Sequence, residues 1–111
     1  MDTVVQSDKL DMTEAEWQAR CDLAALYRVP VCLHNVSGLV LQMASQQWSA
    51  AFFNCPLMEC RRGGEAARAA ASNAPVIRNG EMVVSTLPGL GIDWDEDFLR
   101  ANLAEGEPWW G

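Results

Sequence analysis

The stretch YRVPVCLHNVSG, residues 27–38, decides the fold. Val29 to Leu33 is mostly apolar and has the length of a buried strand. Pro30 has no main-chain N–H to give a helix, so a helix arriving from upstream must stop before it. His34, the only histidine in the chain, follows Leu33 directly. Ser37-Gly38 then makes a turn, and a long apolar segment begins. A strand that ends on a titratable side chain and turns into a helix is one step of a parallel α/β fold. In such folds the chemistry collects at the carboxyl ends of the strands.

Upstream, DTVVQ (2–6) is short, apolar and β-branched, and reads as a buried strand. SDKLDM (7–12) is a polar connection. TEAEW then opens a helix, with Thr13 as N-cap and Glu16 completing a capping box. Met12 and Trp17 stand where a hydrophobic staple would put them. Trp17, Cys21, Ala24 and Ala25 share one face at helical spacing.

Downstream, GLVLQMASQQWSAAFF (38–53) reads as a second helix. Leu39, Gln42, Met43, Gln46 and Gln47 line one side of it, and Leu41, Ala44, Trp48, Ala51 and Phe52 another. With few charges to solvate it, deep burial is expected. LMEC (57–60) reads as a third strand, and EAARAAAS (65–72) as a turn of helix. PVIRNGEMVVS (75–85) is a hairpin with Asn79-Gly80 in a type I′ turn. After the Pro/Gly turn LPGLG, DWDEDFLRANL (93–103) starts a last helix, with Asp93 as N-cap and Glu96 three residues on. The tail EGEPWWG is polar, then aromatic. The order is βαβαβα, then a hairpin and a helix, which argues for a parallel sheet with right-handed crossovers.

Composition narrows the function. At 111 residues the chain is one domain or part of one. Its formal charge is -7, and Arg61-Arg62 is its only adjacent basic pair, so it offers nucleic acid no basic stripe. No run of 18 or more apolar residues suits a membrane span. The N-terminus is too acidic for a signal peptide, which leaves the cytoplasm as the expected compartment. The four cysteines form no CxxC pair and fit no zinc module, so they read as free thiols in a reducing compartment.

Three titratable groups fall at successive strand ends: Asp8 past the first, His34 past the second and Glu59 near the end of the third. One residue per strand, converging on one rim, is how a barrel builds a site. Each also has a plain structural reading. A strand-end histidine can simply be hydrogen-bonded, and Asp8 can be a turn residue. Glu59, flanked by Met58 and Cys60, needs a partner if buried. DWDED looks like a metal site but fits a capped, dipole-matched helix start as well. Ser37-Gly38 could hold an anion at a helix N-terminus or merely begin the helix.

VPVCLHNVSGLVLQMASQQWSAAFFNCPLMEC resembles the segment around barrel strands seven and eight of the enolase superfamily, mandelate racemase/muconate lactonizing group. DTVVQSD resembles the family's strand six, and VIRNGEMVVSTLPGLGIDWDEDFL its closing hairpin, PGLG turn and acidic helix. The resemblance implies the C-terminal portion of a (β/α) TIM-type barrel, about three βα units, plus a closing hairpin and helix. Residues 1–75 would be partial barrel. Residues 76–111 would form a layer that packs on a capping domain.

By the same resemblance His34 would be the general base or acid and Asp8 the aspartate that orients it. Glu59 would be the acid that hydrogen-bonds the substrate carboxylate as it becomes an enediolate. The implied chemistry is proton abstraction next to a carboxylate, in an acid-sugar dehydratase or racemase-like enzyme. The family's Mg²⁺ is held on strands three to five and an opposing base, often Lys, sits on strand two. That region has no counterpart here, and Lys9, the only lysine, lies elsewhere. Other departures are SDKLDM in place of the usual Gly-Gly loop, and Leu33 in place of the usual proline before the histidine.

The expectation is therefore a C-terminal third or less of such an enzyme, in which Met1 would be internal. It would bind no Mg²⁺ alone, be inactive alone, and depend on the missing barrel strands and capping domain. The parent would be a homo-oligomer. The alternatives are a non-catalytic chain acting by association, or a small α/β binding module.

Overall fold

A computed structural model describes residues 4–6, 13–60 and 68–110 of the chain. Asp8, Lys9, Met12 and most of 61–72 therefore lie outside the described residues or at their margin. The elements are β1 (Val4–Gln6), α1 (Glu14–Leu26), β2 (Val31–Leu33), α2 (Leu39–Ala51) and β3 (Leu57–Met58). A hairpin of β4 (Ile77–Arg78) and β5 (Glu81–Met82) follows, then α3 (Glu96–Ala101).

β1, β2 and β3 form a parallel sheet in that order. Cys32 pairs with Val5 on one side and Leu57 on the other, and Leu33 pairs with Gln6 and Met58. Side chains alternate across a strand, so Val31 and Leu33 share one face. Both are buried there with Cys21 of α1. Trp17 and Ala24 of α1, and Trp48 and Phe52 of α2, close over the same cluster. Trp48 stacks on Phe52 at 5.4 Å between ring centres and tilts against Trp17 at 5.7 Å. Both helices thus cover one face of the sheet, and alternation turns Cys32 and His34 to the other.

α1 starts as its sequence dictates. The Thr13 hydroxyl accepts from the Glu16 N–H, and the Glu16 carboxylate accepts from the Thr13 N–H at 2.8 Å. It ends in a Schellman pair of bonds: the Arg28 N–H reaches the Ala25 carbonyl and the Val29 N–H the Ala24 carbonyl, both at 2.9 Å. This turns Arg28 to a φ of 54°, where glycine is the usual residue. The hairpin turn also has the expected form, with φ of 52° at Asn79 and 84° at Gly80.

Three expectations are corrected. α2 is less buried than its apolar girth suggested: Met43, Ser45 and Gln46 are its buried residues, while Val40 is half exposed. Two of its glutamines bind the main chain of 83–85. The Gln46 amide donates to the Val83 carbonyl at 2.9 Å and accepts from the Ser85 N–H at 2.8 Å; Gln47 donates to the Ser85 carbonyl at 3.0 Å. The third strand is shorter, ending at Met58.

The cap of α3 is Asp95, whose carboxylate accepts from the Phe98 N–H at 2.8 Å, rather than Asp93. Asp93 is drawn away by residues 20 positions upstream. Its carboxylate accepts from the Ser72 hydroxyl at 2.6 Å, and its N–H donates to Asn73 Oδ1 at 2.8 Å. All four cysteines are free thiols, as expected.

Candidate functional site

The register of the sheet builds the site. Leu33 lies opposite Met58, so one step further on His34 lies opposite Glu59. Adjacent strands are about 4.8 Å apart, close enough for facing side chains to meet. His34 Nε2 is 3.8 Å from Glu59 Oε2, a charge pair whenever the imidazole is protonated. The same Oε2 accepts from the Asn35 main-chain N–H at 3.1 Å. The Glu59 N–H donates to the Leu33 carbonyl at 3.3 Å, so the main chain below the carboxylate is held as well.

Both side chains are reachable: that of His34 is 27% exposed and that of Glu59 44%. Asn35 is the opposite, at 1%, and its side-chain Nδ2 is buried with no acceptor among the described residues. An imidazole beside a carboxylate can hold or pass a proton near neutral pH. An anionic ligand could reach both.

Two of the three expected site residues are thus together on one rim, and Asp8 lies outside the described residues. Asn35 was not singled out from sequence. Its signal was there, since it stands two positions beyond Leu33 and so repeats that residue's orientation along the strand.

Cys21 and Cys32 are poor candidates for chemistry. Burial pushes Cys21 up to about 11, helped by Cys55 nearby, and burial likewise raises Cys32. They stay protonated at neutral pH and pack as small hydrophobes. The acids of the 93–97 segment have structural work: Asp93 binds Ser72 and Asp95 caps α3.

Mg²⁺ requires a near-octahedral set of oxygens with carboxylates held in place. Among the described residues the rim offers one carboxylate, Glu59, already accepting from Asn35. No group of three or more His, Cys, Asp or Glu among the described residues could hold a metal ion. The described residues therefore do not fit a Mg²⁺ site. Nor is any helix among them long and apolar enough to cross a membrane.

Comparison with known proteins places the chain in a family. The family model for the enolase C-terminal domain-like family matches residues 5–98. D-xylonate dehydratase of Haloferax volcanii is 37% identical over 87 residues, 78% of this chain and 21% of that enzyme. A mandelate racemase/muconate lactonizing enzyme-like protein from Rubrobacter xylanophilus superposes with a TM-score of 0.78 at 29% identity, covering 99% of this chain and 29% of that one. An enolase of the mandelate racemase subgroup from Agrobacterium tumefaciens shares the fold, with a TM-score of 0.74 at 24% identity over 89% of this chain and 27% of that one. The chain thus spans between a fifth and a third of the length of these relatives. With its parallel sheet and its strand-end histidine and glutamate inside the matched region, the chain belongs to the enolase C-terminal domain-like family.

Proposed function

We propose that this chain supplies one rim of the active site of an enolase-superfamily enzyme that removes the proton next to a carboxylate, with an acid sugar as substrate. The observation that carries the reading is the approach of His34 to Glu59 at neighbouring strand ends. His34 acts as the base at carbon, for which an imidazole is suited near neutral pH. Asp8 orients the imidazole. Glu59 hydrogen-bonds the substrate carboxylate as it becomes an enediolate, where charge develops and stabilisation counts most. In a dehydratase, His34 then returns a proton to the departing β-hydroxyl. Likeness to the D-xylonate dehydratase favours this branch over racemisation.

The described residues do not supply a Mg²⁺ site. Residues 1–75 serve as barrel, and 76–111 as a closing layer against a capping domain. The chain alone is inactive on acid sugars. A second reading, association without catalysis, is favoured by its exposed apolar side chains, Leu26, Tyr27 and Phe53 foremost.

The test is co-expression with the part of the Haloferax enzyme that precedes the matched segment, followed by an assay of D-xylonate dehydration. Activity is expected from the complex and not from the chain alone, with a loss of about 10²–10⁴-fold in His34→Asn. A soluble complex that is inactive, or indifferent to His34→Asn, would overturn the catalytic reading and select the second.

A further inference from the structure

We propose that Asn35 is a positioning residue: its main-chain N–H holds Glu59 by Oε2 and so reserves Oε1 as the oxygen that meets a ligand carboxylate. The proposal rests on the reading of Glu59 as the acid that faces the substrate.

The argument starts from ladder geometry. In a regular parallel pair, one residue donates its N–H to the neighbouring strand and accepts on its own carbonyl from the residue two further along that strand. Glu59 makes the first of these bonds, to the Leu33 carbonyl at 3.3 Å. The second would run from the Asn35 N–H to the Glu59 main-chain carbonyl. Instead the Asn35 N–H donates to Glu59 Oε2 at 3.1 Å. The carboxylate has taken the place of its own carbonyl in the ladder. β3 therefore ends at Met58, and the rung beyond it is a side chain.

A carboxylate held this way is fixed by the two strands rather than by its own rotamers. The same Oε2 lies 3.8 Å from His34 Nε2, so it faces both residues 34 and 35. The peptide that grips it is itself pinned, because the Asn35 side chain is 1% exposed. In a protonated carboxyl the oxygen without the proton is the better acceptor, so an N–H held on Oε2 favours the proton on Oε1. A carboxyl that donates to a ligand carboxylate then does so from Oε1. The division of labour follows: Oε2 is for alignment and Oε1 for the ligand.

The experiment is spectroscopic and needs no substrate, so an inactive complex would leave it standing and an active one would not prove it. In the full labelled chain, free or in its co-expressed complex, the scalar coupling across the hydrogen bond from the Asn35 amide nitrogen is measured. Coupling to the side-chain carboxyl carbon of Glu59 is expected. The Asn35 amide should be protected from hydrogen exchange. In Glu59→Leu that protection should fall tenfold or more, while the amide of residue 59, bonded to Leu33, keeps its own. Asn35→Leu, which leaves the N–H in place, should keep the coupling. Coupling to the main-chain carbonyl of residue 59 instead would overturn the proposal. So would an unprotected Asn35 amide, or exchange at Asn35 that Glu59→Leu does not change.

Discussion

Glu59 shows how a single residue acquires a role from its address. It follows the last paired residue of β3, so its N–H is still in the ladder while its side chain is already past it. That address was legible in the chain, because an acid between Met58 and Cys60 in an apolar stretch invites a question. His34 was legible for the same reason. The burial of Asn35 was legible from its place two beyond Leu33, but its bond to Glu59 is made by the main chain, which has no side-chain signature.

Two other residues carry backbone consequences. Arg28 sits at a φ of 54° in the Schellman turn. The left-handed region costs a non-glycine residue roughly 1–2 kcal/mol, and glycine's greater freedom in the unfolded chain returns part of that. Arg28→Gly should stabilise the chain by about 0.5–1 kcal/mol in urea unfolding at fixed protein concentration. Gly91, at a φ of 69°, is the opposite case, because a Cβ there would run into the Ser85 side chain. Ser85 cannot easily yield, since its main chain is held by Gln46 and Gln47. Gly91→Ala should cost about 1–3 kcal/mol in the same measurement, and an unchanged midpoint would contradict the packing described for 83–91.

At the scale of elements, α1 was the easiest to read and α3 the hardest, for one physical reason. The Thr13–Glu16 box is closed within four residues, so its whole logic is local. The start of α3 is set by Ser72 and Asn73, which occupy Asp93 and leave Asp95 to cap. Gln46 and Gln47 reach main-chain atoms nearly 40 residues away. No local pattern announces such bonds.

The capping box also makes α1 sensitive to pH. The Thr13 N–H, and then its hydroxyl, hold the Glu16 carboxyl below its ordinary value of 4.5. A group whose folded value lies below its unfolded value stabilises the fold above the unfolded value, and that contribution disappears as pH falls through the folded one. The amide of Glu16, bonded to Thr13, should therefore lose exchange protection on acidification below about pH 4.5. Glu16→Gln should flatten that dependence, and an equal acid response in the variant would mean that other carboxyls govern the helix.

At the scale of the molecule the question is what covers the edges. The sheet runs β1-β2-β3, so β1 and β3 are both outermost, and among the described residues neither has a further strand beside it. Unpaired edges invite strand addition from another chain. The apolar surface adds to this. Leu26 is 81% exposed, Tyr27 76% and Phe53 90%, and Trp110 stacks on Trp109 with most of its own surface in water. Burying one such side chain is worth roughly 1.5–3 kcal/mol, and a domain's whole stability is only about 5–15 kcal/mol. A few of these residues left open therefore amount to a large part of the available margin. The chain on its own should self-associate, visible as concentration-dependent mass in sedimentation. Co-expression with the preceding part of a relative's barrel should cap both edges, cover these side chains and raise the soluble yield. Tyr27→Ser and Phe53→Ser should reduce the self-association without such a partner, because they remove sticky surface and leave the core around Cys21, Val31 and Leu33 untouched. A monomer at all concentrations, melting in one sharp transition, would mean that this sheet is finished as it stands and that its edges need nothing further.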